Sequence, residues 1–225
     1  MLPSLEIPLT LLLLPLTAYA FLMLPLLLLL QVQSPHDALH YDITLIPSDT
    51  SAHILGEVQT TWRLGSTKPV TMELDSAMRV IRVLVDGKPN TRISRTMYAR
   101  SSTEVDVPHQ KQPGDSMSTR VRYRGYPRGG LVAGRSARGN RTVQADHRPQ
   151  GAHYWLPMPE SLEDEATVAL HIQVPLGYQV VADGAVEKVD TLAYGQMMWH
   201  YNLNRPMPLY KVKVGWEGGT ASRER

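Results

Sequence analysis

The chemistry open to this chain depends on where its histidines, carboxylates, hydroxyls and arginines stand. A thermolysin-type zinc site needs two histidines four residues apart on one helical face, with a glutamate between them as general base. No His-Glu-x-x-His occurs in the 225 residues. His36-Asp-Ala-Leu-His40 has the histidine spacing without the glutamate. It follows Pro35 and leads into an alternating segment, and four residues along a strand span about 13 Å, too far to share a metal. His147 and His153 lack a third ligand at helical spacing, so no metal site and no cofactor are expected. Cysteine is absent, which excludes disulfides, thiolate nucleophiles and Cys-ligated zinc. No Gly-x-Ser-x-Gly elbow marks a serine nucleophile. Glu160, Glu163, Asp164 and Glu165 fall in one acidic stretch after Pro159 and read as a solvated turn. A glycosidase would need two carboxylates facing each other across a cleft.

Arginine is the more concentrated signal. Arg120, Arg122, Arg124, Arg128, Arg135, Arg138, Arg141 and Arg148 crowd one span, with Tyr123 and Tyr126 among them. Guanidinium forks and aromatic faces in this mixture suit an anionic surface. The competing reading is a solvated strand face running into a loop, since charge along an edge strand also blocks aggregation. Lipid head groups or a cell-envelope polymer are the anionic partners expected. Nucleic acid is not, because a net charge of +2 gives no strong global attraction and the chain reads as exported. Asn140-Arg-Thr142 has the form of a glycosylation sequon.

The elements that would carry these residues are strands. Tyr41, Ile43 and Leu45 alternate with polar neighbours, as do Val58, Thr60, Trp62 and Leu64. Val80 to Val85 runs into Asp86-Gly87, the dipeptide of a type I′ hairpin. Val121 and Tyr123 alternate with arginines, and Val168, Leu170, Ile172 and Val174 form a clean strand ending at Pro175-Leu-Gly177. Asp183-Gly184 marks another turn; Trp199, Tyr201 and Leu203, then Tyr210, Val212 and Val214, complete the series. Seventeen prolines and sixteen glycines suit many short strands. The predicted class is all-β, an antiparallel sandwich or open barrel, preceded by an apolar N-terminal helix. Gly125 to Pro149 reads as a long loop and Gly215 to Arg225 as a frayed tail.

From Ile7 to Leu30 no residue is charged and leucine dominates. Such a run exceeds the about 20 residues that cross a hydrocarbon core, and the bilayer tolerates Pro8, Pro15 and Pro25. Ala18-Tyr-Ala20 has the small-x-small form of a signal-peptidase site, yet Leu26 to Leu30 still follow it. Residues 1–30 are expected to be either a cleaved signal peptide or a membrane anchor, and residues 31–37 a polar linker. The expected location is the cell envelope, membrane-anchored, periplasmic or extracellular.

Several pieces, in order, carry a resemblance. They are His36 to Leu45, Gly56 to Thr61, Gly125-Tyr-Pro-Arg-Gly-Gly-Leu131, Pro149 to Pro157, Ala166-Thr-Val168, Val181-Ala-Asp-Gly184 and Pro208-Leu-Tyr210 through Gly215. Together they resemble the N-terminal β-domain of the aminopeptidase N family of zinc peptidases. The resemblance implies an open, saddle-like β-domain over residues 38–215, with 216–225 a disordered tail. It implies no zinc site of this domain's own, since the family's metal lies in a following catalytic domain. It also implies that Asp146 stands where the family places an acidic or Gln residue to bind a substrate's free amino group. Two departures stand out: Glu160-Ser-Leu162 replaces the family's Asp-x-Pro turn, and Glu165 replaces a usual lysine. The expected function is that of a non-catalytic, exported domain, truncated or stand-alone, with a binding or structural role. The alternatives are half of a split zinc aminopeptidase, and an envelope-surface binding module using the arginine face. Expected partners are a separately encoded catalytic domain or a second copy, met through an exposed sheet face, with the membrane contacted by residues 7–30 if uncleaved.

Overall fold

The computed structural model describes residues 35–90, 94–97, 102–146, 151–159 and 161–219. The apolar run 7–30, most of the expected linker, His147, Arg148, Glu160 and residues 220–225 lie outside them. Among the described residues no helix is long and apolar enough to cross a membrane.

Alternation of apolar and polar residues builds the principal sheet. β1 (His36–Pro47) buries Tyr41, Ile43 and Leu45 and turns His40, Asp42 and Thr44 to the other face. On one side it pairs antiparallel with β2 (Ile54–Leu64). On the other it pairs parallel with β12 (Glu165–Pro175), Tyr41 beside Val168 and Ile43 beside Leu170. It is a parallel pairing in an all-β fold whose other ladders among the described residues are antiparallel, as expected; period-two patterning fixes which face is buried but not which strand lies alongside. The sheet continues from β2 to β8 (Ser116–Gly125), β4 (Met78–Val85) and β5 (Lys88–Pro89). Beyond β12 it continues to β15 (Gln196–Pro208) and β14 (Ala185–Leu192). The β4–β5 turn is the expected type I′, with φ of 48° at Asp86 and 76° at Gly87.

Two four-stranded sheets close over the inner face. One runs β13 (Gln179–Ala182), β16 (Val214–Glu217), β10 (Arg141–Ala145), β9 (Leu131–Arg135). The other runs β11 (Met158–Pro159), β3 (Val70–Asp75), β7 (Ser102–Val107), β6 (Ser94–Met97). The core between the sheets is filled by Tyr41, Trp62, Tyr123 and Trp155, with an aliphatic shell that includes Leu74, Leu170, Ile172 and Val174. Each such aliphatic side chain removed from water contributes roughly 1.5–3 kcal/mol. Trp62 also donates its indole N–H to Thr119 Oγ1 at 2.9 Å, satisfying the polar end of a buried ring.

Four local expectations change. Gly125 to Pro149 is not a long loop, because β9 and β10 form a hairpin within it. Of those ten strand residues only Val143 is buried, so the apolar period is too faint to read. Tyr210 lies in a short 3-10 helix, Leu209–Lys211, rather than a strand. The expected tail gives up Trp216 and Glu217 to β16, and Trp216 is only 7% exposed. His36 and Asp37, expected in the linker, already belong to β1.

Candidate functional site

Asp146 follows β10 and is half-buried. Its backbone N–H donates to the Gly130 carbonyl at 2.9 Å, tying the end of the hairpin to the chain entering β9. Gly130, at φ 73°, packs against the 3-10 helix Gly151–Tyr154, so that helix and the hairpin together fix the Asp146 backbone. The carboxylate residue lines an open cleft of about 1070 Å³ shared with Asp183, Leu203, Arg205, Tyr210 and Lys213. A carboxylate in such a place can pair with an ammonium group.

Beside the cleft, the outward face of the sheet β13-β16-β10-β9 is mixed, with two exposed valines among polar residues. Register places Val132 beside Gln144, Gln144 beside Gly215 and Gly215 beside Val181. Their neighbours Val143, Trp216 and Val180 point the other way, into the core. Val132 is 48% exposed and Val181 72%, with Gly215 keeping the row low between them.

The arginine cluster divides. Arg120, Arg122 and Arg124 share the outward face of β8. β4 adds Arg82 opposite Arg122 and Arg79 opposite Arg124. Arg128 instead turns to the protein: its guanidinium grips the fully buried Asp75 carboxylate with two hydrogen bonds, at 3.0 and 2.8 Å. Arg141 spans to the carbonyls of Ser48, Asp49 and Ser51, and Arg135 donates to the Gly139 carbonyl. Arg138 sits exposed in the β9–β10 turn.

The histidines His36, His40 and His153 each meet a partner within the protein. His36 Nε2 lies 3.1 Å from the Lys68 carbonyl, while His40 Nδ1 meets Thr167 Oγ1 at 2.7 Å. His153 stacks on Tyr154. Among the described residues no group of three or more His, Asp or Glu side chains is arranged to hold an ion. Asn140 of the sequon donates to Glu217. Two groupings escaped sequence reasoning because only register and packing create them: Asp75 with Arg128, and His171 with His200.

The acidic stretch is not uniformly solvated. Asp164 accepts the Ala38 N–H at 2.8 Å, and burial first, then the Asp37 carboxylate, push its pKa up to about 6. A folded-state pKa above the ordinary value near 3.9 means the fold holds an extra proton between about pH 4 and 6, so stability falls as pH rises through that window. The expected loss from pH 4 to 7 is about 1 kcal/mol, reduced by the residue's partial exposure. Asp164→Asn keeps an acceptor for Ala38 without the charge. Thermal unfolding at pH 4, 5, 6 and 7 should therefore show a flatter profile for the variant and a higher melting temperature at pH 7.

No protein-family model and no curated protein matches this chain. Solved structures do. The M1 zinc metallopeptidase from Deinococcus radiodurans superposes with a TM-score of 0.68 at 22% identity, over 82% of this chain and 42% of that one. A two-domain M1 zinc metallopeptidase variant bound to L-tryptophan gives 0.68 at 21%, over 82% and 43%. Yeast LTA4 hydrolase gives 0.68 at 17%, over 82% and 29%. The chain spans less than half the length of these proteins. Its fold is that of the N-terminal β-domain of the M1 zinc metallopeptidases.

Proposed function

We propose that this β-domain binds and positions beside a zinc-peptidase catalytic domain and hydrolyses nothing by itself. The observation that carries this reading is the open Asp146 cleft, bordered by a low row of the sheet on which Val132 and Val181 stand exposed. A catalytic domain seated there would close the cleft and bring Asp146 to a peptide's free α-ammonium. A separately encoded catalytic domain is the occupant proposed, and a second copy of this chain is the alternative. The apolar run 7–30 supports export to the cell envelope, as a cleaved signal or an anchor.

A second reading rests on the outward face of β4 and β8. Arginines directly opposite one another repel, and Arg79 with Arg124 and Arg82 with Arg122 are so placed. An anionic surface, such as lipid head groups, relieves that repulsion.

The test uses the full chain. Alone it should leave aminoacyl anilides intact, and hydrolysis abolished by a zinc chelator would overturn the reading. Mixed with an M1 zinc catalytic domain it should form a complex that Val181→Glu weakens at least tenfold. Salt-sensitive retention on anionic vesicles, lost in an Arg122→Glu variant, would support the second reading.

A further inference from the structure

Strict alternation along β4 would turn Val80 inward, Ile81 outward and Arg82 inward again. The strand departs from it. Val80 lies beside Tyr123 and Arg82 beside Arg122, so two steps on β4 match one on β8, and Ile81 has no partner across the ladder. That is a β-bulge, which re-aims the side chains around it. Val80 still packs on the core and Val83 is buried, while Ile81 and Arg82 are both exposed, Ile81 to 48%. One extra residue thus keeps Arg82 out of the core and sets a large apolar side chain among guanidinium groups.

The bulge completes a charged frame. Arg79 stands opposite Arg124 and Arg82 opposite Arg122, and all four are exposed. Among the described residues none of the four has an ion-pair partner. Neither β4 nor β8 contains an Asp or Glu. The adjoining β2 adds a single acid, Glu57, beside Arg122 in register and with its carboxylate 3.7 Å from Arg120. Opposed residues on neighbouring strands have Cβ atoms about 4.5–5.5 Å apart. Two guanidinium forks at that spacing can close on one phosphate from both sides, since each presents parallel N–H donors that match phosphate oxygens.

Ile81 decides where such phosphates come from. A soluble polyanion offers anionic groups but no hydrocarbon to receive the side chain. A phospholipid leaflet offers both, with phosphates at the level of the arginine heads and acyl chains below them, and arginine stems lie readily along that boundary. We propose that the outward face of β4 and β8 seats on an anionic phospholipid leaflet, each opposed arginine pair holding a lipid phosphate and Ile81 entering the interface between them. This rests on the second reading given above, to which it adds the bulge, the inserted side chain and the bilayer as partner. Seated so, the sheet β13-β16-β10-β9, which covers the inner face of the principal sheet, turns Val132 and Val181 away from the bilayer and leaves them open to a partner domain.

The test places a fluorophore at position 81 of the full chain. The sequence has no cysteine, so Ile81→Cys takes an environment-sensitive label at one place, and Val181→Cys is the control. Vesicles of phosphatidylglycerol and phosphatidylcholine in equal parts are compared with phosphatidylcholine alone and with dextran sulfate. Insertion by residues 7–30 would act on both kinds of vesicle alike, so the difference between them isolates this face. A blue shift of the label at 81 on the mixed vesicles alone is expected, with the label at 181 unchanged. Arg82→Gln with Arg122→Gln should weaken the preference for mixed vesicles about thirtyfold, at about fivefold for each arginine. Ile81→Ser should weaken it roughly tenfold. The arginine substitutions relieve a repulsion, so the variants should melt no lower than the unaltered chain; should one fail to fold, the label, which leaves every arginine in place, decides. Retention on mixed vesicles that Arg122→Glu abolishes, with the label at 81 still in water, would overturn the insertion and leave the second reading standing. Tighter binding to dextran sulfate than to mixed vesicles would overturn the bilayer as partner. No preference for the mixed vesicles or for dextran sulfate would overturn this proposal and the second reading together.

Discussion

Arg128→Met should destabilise the domain severely, although Arg128 is itself half-exposed. The reason lies with its partner. The Asp75 side chain is wholly buried, and its carboxylate is met by the Arg128 fork and by the Ala77 N–H at 2.7 Å. Removing the guanidinium leaves that buried Asp75 charge uncompensated, a change that costs about 3–5 kcal/mol in buried pairs. Asp75→Asn added to Arg128→Met removes the stranded charge and should recover a large part of the loss. Urea unfolding of the two single variants and the double variant checks this. A double variant as unstable as the sum of its singles would show that the two residues act independently. The pairing also turns two of the Arg128 guanidinium nitrogens, Nε and Nη2, toward the protein.

Gly130→Ala should be the second large effect, and it should reach the cleft. At φ 73° an L residue already costs about 1–2 kcal/mol. The added Cβ would also fall 2.0 Å from the Gly151 carbonyl oxygen and 2.8 Å from Trp155 Cδ1. The first of these is backbone and cannot rotate aside. The hairpin must shift, and Asp146 shifts with it, since its N–H donates to the Gly130 carbonyl. A total cost above about 3 kcal/mol is expected. Gly139→Ala is the control: φ there is 79°, yet nothing lies within 4 Å of the new Cβ. It should cost only about 1–2 kcal/mol. Similar melting temperatures for the two variants would refute the crowding argument.

These two sites show what was legible beforehand. Strands with a buried face wrote themselves plainly: in β1 and β12 every second residue is apolar, so burial could be read residue by residue. β9 and β10 were illegible because Val143 alone of their ten residues enters the core, and an arginine- and glycine-rich hairpin then looks like a loop. Trp216 was missed for a similar reason, standing in a strand whose neighbours are Gly215 and Glu217. The resemblance singled out Asp146, but nothing in the sequence announced the cleft that it lines. Pairings across strands were beyond reach. Alternation shows that His171 and His200 both face outward, but not that twenty-nine positions of chain bring them ring to ring. Likewise nothing local to Arg128 points to Asp75, fifty-three residues earlier.

The parallel ladder between β1 and β12 has a consequence for how the chain is made. Once β1 has left the ribosome, β2 can join it soon after. Its other neighbour is 127 residues away, as the His40–Thr167 contact shows. At roughly 5–20 residues per second, the edge from His40 to Leu45 waits about 6 to 25 s for its partner. During that interval an unpaired edge borders Tyr41, Ile43 and Leu45, the kind of surface that templates aggregation. The two halves of the molecule are therefore coupled in time as well as in space: a nascent chain that stops short of β12 has its central strand open on one side.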